Sequence, residues 1–449
     1  MRSTHVDPPI KPDDFVDAQK ASELLGIKLQ TLYAYASRGL IASVPGTSGR
    51  ARLYSRADLE RLRTRAGGRP EPSPLAVQGP RWSSGDLTID TSLTVVDASA
   101  GPHYRGQAAV ALAEQGASFE AVAELLWGGS LPGSSPSWPR PAFEASKLSA
   151  LVPADAPPIT SLLVLVPALA AVDSERFAAP RDADIARARL LLGTMATFIG
   201  PTEAPAATTK PAVKGASRTA VAAKNKAPRS KGRPPTGVAA SLATSLGASA
   251  EAASLLDQAL VLTADEELDA PAFTARVAAG AGADLYACLA AALNTASGPQ
   301  HGGACDRVEA LVLTIEKPER ARAVVTERVR RGEPVPGFGH PLFPAGDPRA
   351  ALLLAGVERL GSKSVALRSL LALVKAMADT DRGRPTLDTA LVALCLALGA
   401  RPGTASALRV LGRSAGWVAH VLEQRDGGPA LRGRGRYVGP AAAATPEAS

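Results

Sequence analysis

Gly298-Pro-Gln-His301-Gly-Gly-Ala304 is the stretch on which the reading of this chain turns. Glycines on either side let backbone or a ligand approach the imidazole closely. A second histidine repeats the pattern in Gly337-Phe-Gly-His340-Pro, although the chain holds only five histidines. Further on, Arg384-Pro-Thr-Leu-Asp388-Thr-Ala-Leu391 sets an acid at the entrance of an apolar helix. Taken singly, each has a plain alternative: a histidine in a core, or an aspartate capping a helix.

Outward from these segments, residues 86–439 are rich in Ala and Leu with few β-branched runs, which predicts a mainly α domain. At 449 residues, with 46% hydrophobic and 20% charged, the chain asks for two or three globular domains. Cys288, Cys305 and Cys395 lie far apart, which excludes a disulfide framework or zinc ribbon and fits a reducing cytosol. The start, MRSTHVDPPIKPDDF, lacks the apolar centre of a signal peptide. The most apolar run, 162–172, contains Pro167 and falls short of the roughly 20 residues of a membrane span. A cytoplasmic protein with no membrane partner and no metal site is expected.

Three further segments stand out. Residues 14–66 read as a small winged helix-turn-helix domain: a helix at Ala18–Leu25, a break at Gly26-Ile27, and a second helix over 28–37. That spacing puts a second helix in a DNA major groove. Lys28, Gln30, Thr31, Tyr35 and Arg38 are its candidate DNA contacts, with Arg50 and Arg52 on the hairpin that follows and a third helix over 55–65. The segment resembles MerR and excisionase domains; a protein-interaction module is the alternative. Residues 67–85 are a Gly/Pro/Ser linker. Residues 201–237 carry eight Lys/Arg against Glu203 alone, so most of the net +8 sits in one low-complexity insertion, expected to be disordered. Its Lys231-Gly-Arg-Pro234 can be read as a minor-groove contact or as a solvated loop. The tail 440–449 is expected to be disordered.

The three opening segments, together and in order, closely resemble citrate synthases. The family patterns GPLHGGA, GFGH with a following acidic-Pro-Arg, and Pro-x-x-Asp stand here as GPQHGGA, GFGHPLFPAGDPR and RPTLDTAL. GRSAGWVAHVLEQ at 412–424 agrees as well. The resemblance implies large and small helical domains, the small one about 303–399, and a homodimer or higher homo-oligomer. It implies condensation of acetyl-CoA or propionyl-CoA with oxaloacetate, to citrate or 2-methylcitrate, with acyl-CoA as substrate and no cofactor. Asp388 matches the base at the acyl carbon, His301 the donor to the thioester oxygen, and His340 the donor to the ketone. Arg349, Arg413 and Arg432 match the cations that hold the dicarboxylate.

Two departures bear on this. Glu266 stands where the family has a histidine against the keto acid; a carboxylate there repels a dicarboxylate unless it is protonated, turned away or facing another substrate. Pro344 stands where a cation commonly meets the CoA phosphates, with Arg382 or Arg384 as candidate replacements. The rival reading is a transcriptional regulator whose citrate synthase-like domain only senses a CoA ester or carboxylate. A structural subunit paired with an active paralogue is a third.

Overall fold

The computed structural model describes residues 15–25, 29–37, 41, 43–45, 52–56, 58–59, 89–139, 151–153, 155–177, 180–200, 237–381, 383–428 and 431. The expected linker, nearly all of the basic insertion, the tail, and Lys28, Arg38, Arg50, Arg382 and Arg432 therefore lie outside the described residues. By its contacts the chain divides into two units, Met1–Ser73 and Pro74–Ser449.

In the first unit, β1 (Phe15–Asp17) leads into the helix Ala18–Leu25, with Asp17 Oδ1 accepting the Lys20 N–H at 2.8 Å as a cap. The helix Leu29–Ser37 follows, then β2 (Ser43–Pro45) and β3 (Arg52–Ser55), in a sheet ordered β1-β3-β2. The wing hairpin read from sequence is β2 against β3; β1, which composition did not suggest, pairs on the other side of β3. Val16, Ala21, Leu32, Ile41, Tyr54 and Leu59 make its small core. Tyr35 is half-buried against that core, and Tyr33, 51% exposed, is the tyrosine that faces outward. Gln30 and Arg52 are exposed and Thr31 is partly so.

Among its described residues the second unit begins with a small antiparallel sheet, β4 (Thr94–Asp97), β5 (Gly101–Tyr104) and β6 (Gln107–Ala108), and is mainly helical after it. Its axis is the helix Thr404–Arg425, buried along almost its whole length. Two glycines one turn apart let this helix lie flush on the segment 260–265. A Cβ at Gly412 would fall 1.9 Å from Thr263 Oγ1, and one at Gly416 would fall 2.1 Å from Asp265 Oδ1. Gly416 N also donates to Ala264 O at 2.9 Å. This close approach sets Asp265 and Glu266 against Arg409 and Arg413 on the facing turns. No helix among the described residues is long and apolar enough to cross a membrane.

Candidate active site

Thr386 is the N-cap of the helix Leu387–Leu398, so Asp388 lies in its first turn. The loop before it is stitched to the loop that carries His340. Thr386 N and Thr389 Oγ1 both donate to Gly337 O, at 2.9 and 2.7 Å, and Gly339 N donates to Arg384 O at 2.9 Å. Gly337 has φ +84°, and a Cβ there would sit 2.2 Å from Thr389 Oγ1. Both its backbone and its space demand glycine, which is why the GFGH pattern reads as it does.

His340 Nδ1 accepts the Leu342 N–H at 3.2 Å, so the neutral ring keeps its proton on Nε2 as a donor. Burial pushes its pKa below the usual histidine value, outweighing the upward pull of Glu266. His301 Nε2 meets Asp269 Oδ2 at 3.2 Å. Asp269 caps the helix Ala270–Gly280 through Ala272 N at 2.9 Å, fixing both carboxylate and ring. Burial would raise the Asp269 pKa, but Arg413 and His301 hold it below the usual range. An ionised carboxylate only accepts, so Nε2 carries the hydrogen.

Asp388 Oδ1 accepts from Arg409 Nη1 and from the Cys305 thiol, the latter at 3.4 Å. Among the described residues its Oδ2 has only a long 3.4 Å contact from Thr386 Oγ1. Burial lifts the Cys305 thiol well above its ordinary pKa, so it stays a neutral donor. His301, His340 and Asp388 all line one cavity of about 320 Å³, together with Glu266, Asp269, Arg349 and Arg409.

The arginines are heavily engaged. Arg349 Nε and Nη2 each donate to Asp347 at 3.0 Å, and Nη1 donates to Glu266 at 2.6 Å. Arg409 Nη2 donates to Glu266 Oε2 at 2.7 Å. Arg413 Nη1 donates to Asp265 at 2.7 Å, and its Nη2 pairs with Asp269 at 2.9 Å. Behind them, buried His420 stands 3.5 Å from Asp265. Burial would raise the Asp265 pKa, yet His420 and Arg413 bring it down to about 2.

Of the residues singled out from sequence, His301, His340, Asp388 and Arg349 share the cavity wall. Arg413 lies one helical turn beyond it, holding the carboxylates that hold the wall. Arg409 and Asp269 escaped the sequence reading. Arg409 stands four residues before Arg413, a spacing that puts both on one helix face and was the available signal. Asp269 precedes Ala-Pro at a helix start, the mark of an N-cap. Of the candidate CoA cations, Arg384 is exposed and packs against Gly346, whereas Arg307 lines the cavity beside His301.

A helical body folded around a charged cavity with two histidines and a carboxylate on its wall defines a small-molecule site rather than a scaffold. Residues 84–434 match the family model for the citrate synthase C-terminal domain, and residues 15–66 match a helix-turn-helix domain. The chain belongs to the citrate synthase family. A Mycobacterium tuberculosis protein provisionally named citrate synthase 2 is 39% identical over 190 residues, covering 41% of this chain and 51% of that one. The 2-methylcitrate synthase of Shewanella oneidensis is 30% identical over 188 residues, covering 41% and 50%. The chain thus spans about half the length of the curated relatives it matches. The Thermoplasma acidophilum citrate synthase, solved with carboxymethyl coenzyme A and oxaloacetate, shares the fold at TM-score 0.64 and 23% identity, over 80% of this chain and 96% of that one.

Proposed function

We propose that this chain condenses an acyl-CoA with a 2-keto acid. The family resemblance supplies acetyl-CoA or propionyl-CoA as donor and oxaloacetate as acceptor, giving citrate or 2-methylcitrate plus CoA. The observation that carries the reading is the convergence of His301, His340 and Asp388 on one cavity. Asp388 Oδ2, the less engaged oxygen, takes a proton from the acyl α-carbon. His301 turns its Nε2–H from Asp269 towards the charge that develops on the thioester oxygen, and neutral His340 donates Nε2–H to the ketone. The new carbon–carbon bond forms between them, and water then cleaves the thioester. With both carbonyls polarised by imidazoles, the reaction as written needs no metal or redox cofactor. We take the working assembly to be a cytoplasmic homodimer or higher homo-oligomer, with Arg432 joining the substrate cations; light scattering on the full chain reads the assembly.

A second reading is supported by the helix-turn-helix match and by the Arg409–Asp388 pair, which ties up the base. In it the cavity senses a CoA ester or carboxylate and the N-terminal unit binds DNA. One experiment separates the two: thiol release from acetyl-CoA and propionyl-CoA, with and without the keto acid, on wild type and Asp388→Ala. Acceptor-dependent release that vanishes in the variant supports the enzyme. Ligand-induced thermal stabilisation without release supports the sensor, and salt-sensitive binding to duplex DNA then tests its output.

A further inference from the structure

Glu266 occupies the place of a histidine that faces the keto acid in the resembling family. A carboxylate is tolerable there if protonated, turned away or matched to a different acceptor. The geometry bears on the first two. Glu266 lines the cavity, with Oε1 accepting from Arg349 at 2.6 Å and Oε2 from Arg409 at 2.7 Å. It is not turned away. Burial alone would raise its pKa, but Arg409, Arg349 and Arg413 together hold it well below the usual carboxylate range. It is ionised.

The consequence falls on Arg349. Its Nε and Nη2 face Asp347 and its Nη1 faces Glu266, so every guanidinium nitrogen already has a carboxylate. A substrate carboxylate docks there fork to fork only by displacing one of them. Displaced, Glu266 keeps only Arg409 and faces an incoming anion across the cavity, a like-charge contact that disfavours a second carboxylate at this place.

We infer that the Glu266–Arg409 pair stands in for the second carboxylate of a dicarboxylate acceptor, so that this chain's acceptor is a 2-keto monocarboxylate. This deepens the condensation reading and rests on it. Glu266 gives Arg349 the carboxylate that the substrate lacks, and Arg409 neutralises Glu266 while anchoring Asp388 Oδ1. The chemistry balances without a co-reactant beyond water. The acyl α-carbon loses a proton to Asp388 and bonds to the keto carbon, and the keto oxygen gains a proton from His340. Hydrolysis then releases CoA thiol and a hydroxy-dicarboxylate, one carboxylate fewer than citrate.

The test is kcat/KM of the full chain for thiol release, with acetyl-CoA or propionyl-CoA as donor. Acceptors are pyruvate, 2-oxobutyrate and freshly dissolved oxaloacetate (which decarboxylates to pyruvate on standing). The expected result is a monocarboxylate favoured over oxaloacetate by about tenfold or more, with Glu266→Gln swinging the ratio back towards oxaloacetate. The wild-type ratio decides the matter even if the variant fails to fold. Oxaloacetate favoured, or used within about threefold of the best monocarboxylate, overturns the inference and leaves the condensation reading standing. Release with no acceptor in the panel overturns the condensation reading, and this inference with it.

Discussion

The two sides of the cavity handle charge in opposite ways. On one, the side chains of His301, His340 and Asp388 each have a single firm anchor (Asp269, the Leu342 N–H, Arg409), and the further contacts of Asp388, from Cys305 and Thr386, are both 3.4 Å. On the other, Arg349, Arg409 and Arg413 each face two carboxylates from the chain itself. A reacting group must keep an atom open for the substrate, yet its orientation must be fixed, and one strong hydrogen bond achieves both. A cation paired twice over does something else: it fixes the wall. Under the proposed condensation, recognition of the acceptor then depends on the shape and charge this side already has, because its three arginines keep little bare positive charge to attract an anion.

The sharpest way to break this contrast is at the base. Asp388→Ala should lower acceptor-dependent thiol release by about a thousandfold or more, the range of a lost general base. Release that falls less than about tenfold would move the proton to another group and leave the contrast without its reactive side. On the cationic side, Arg413→Ala takes the nearer partner from Asp265, which is wholly buried and keeps His420 at 3.5 Å. Removing one partner of such a pair costs about 3–5 kcal/mol, readable by urea denaturation of the full chain. Arg409→Ala should cost clearly less, since it frees Glu266 and Asp388 at a cavity that water can enter. Equal losses from the two variants would mean that the wall has no inner and outer layer.

The next expected effect concerns the helix that carries both arginines. Gly416→Ala puts a methyl group against Asp265 Oδ1 and Ala264 O, 2.1 and 2.6 Å from where it would stand. Both contacts belong to a buried, hydrogen-bonded segment with little room to yield, so about 1–3 kcal/mol of stability is lost, as for overpacked cores generally. Substrate affinity should weaken along with it, because the Thr404–Arg425 helix sets the distance between the arginines and Glu266. A variant that is destabilised yet binds unchanged would detach the wall from the helix.

These contrasts were unevenly legible in the sequence. The fold was readable, because Ala- and Leu-rich periodicity and the ordered motifs agree over most of the chain. So were His301, His340 and Asp388, whose glycines and helix entrance are local and survive in a short window of residues. The carboxylates that engage the arginines were harder. Glu266 and Arg409 are far apart in sequence, and only the close approach permitted by Gly412 and Gly416 brings them together. Glu266 was visible as a departure, but whether it was charged depended on that distant partner. The N-terminal unit was harder for a different reason: a helix of nine residues packed on a minute core leaves its faces ambiguous in the sequence, and Thr31 and Tyr35 are both partly buried.

The smallest effect tests which side of the cavity governs His340. Burial disfavours the imidazolium, whereas Glu266 favours it, and burial prevails. The folded ring therefore stays neutral at a pH where the unfolded ring begins to take up a proton. The sign follows: the unfolded state binds more protons, so this contribution to stability is present above the usual histidine pKa and is lost as pH falls through it. Between about pH 7.5 and 5.5 the loss cannot exceed about 1.4 kcal/mol, the limit for a ring that stays neutral in the folded state throughout. Unfolding of wild type and His340→Gln at the two pH values isolates the contribution, which should be present in the first and absent in the second. If wild type instead gains stability relative to the variant as pH falls, then the folded ring binds the proton more tightly. Glu266 would then govern His340, and the ketone would face an imidazolium in place of a neutral donor.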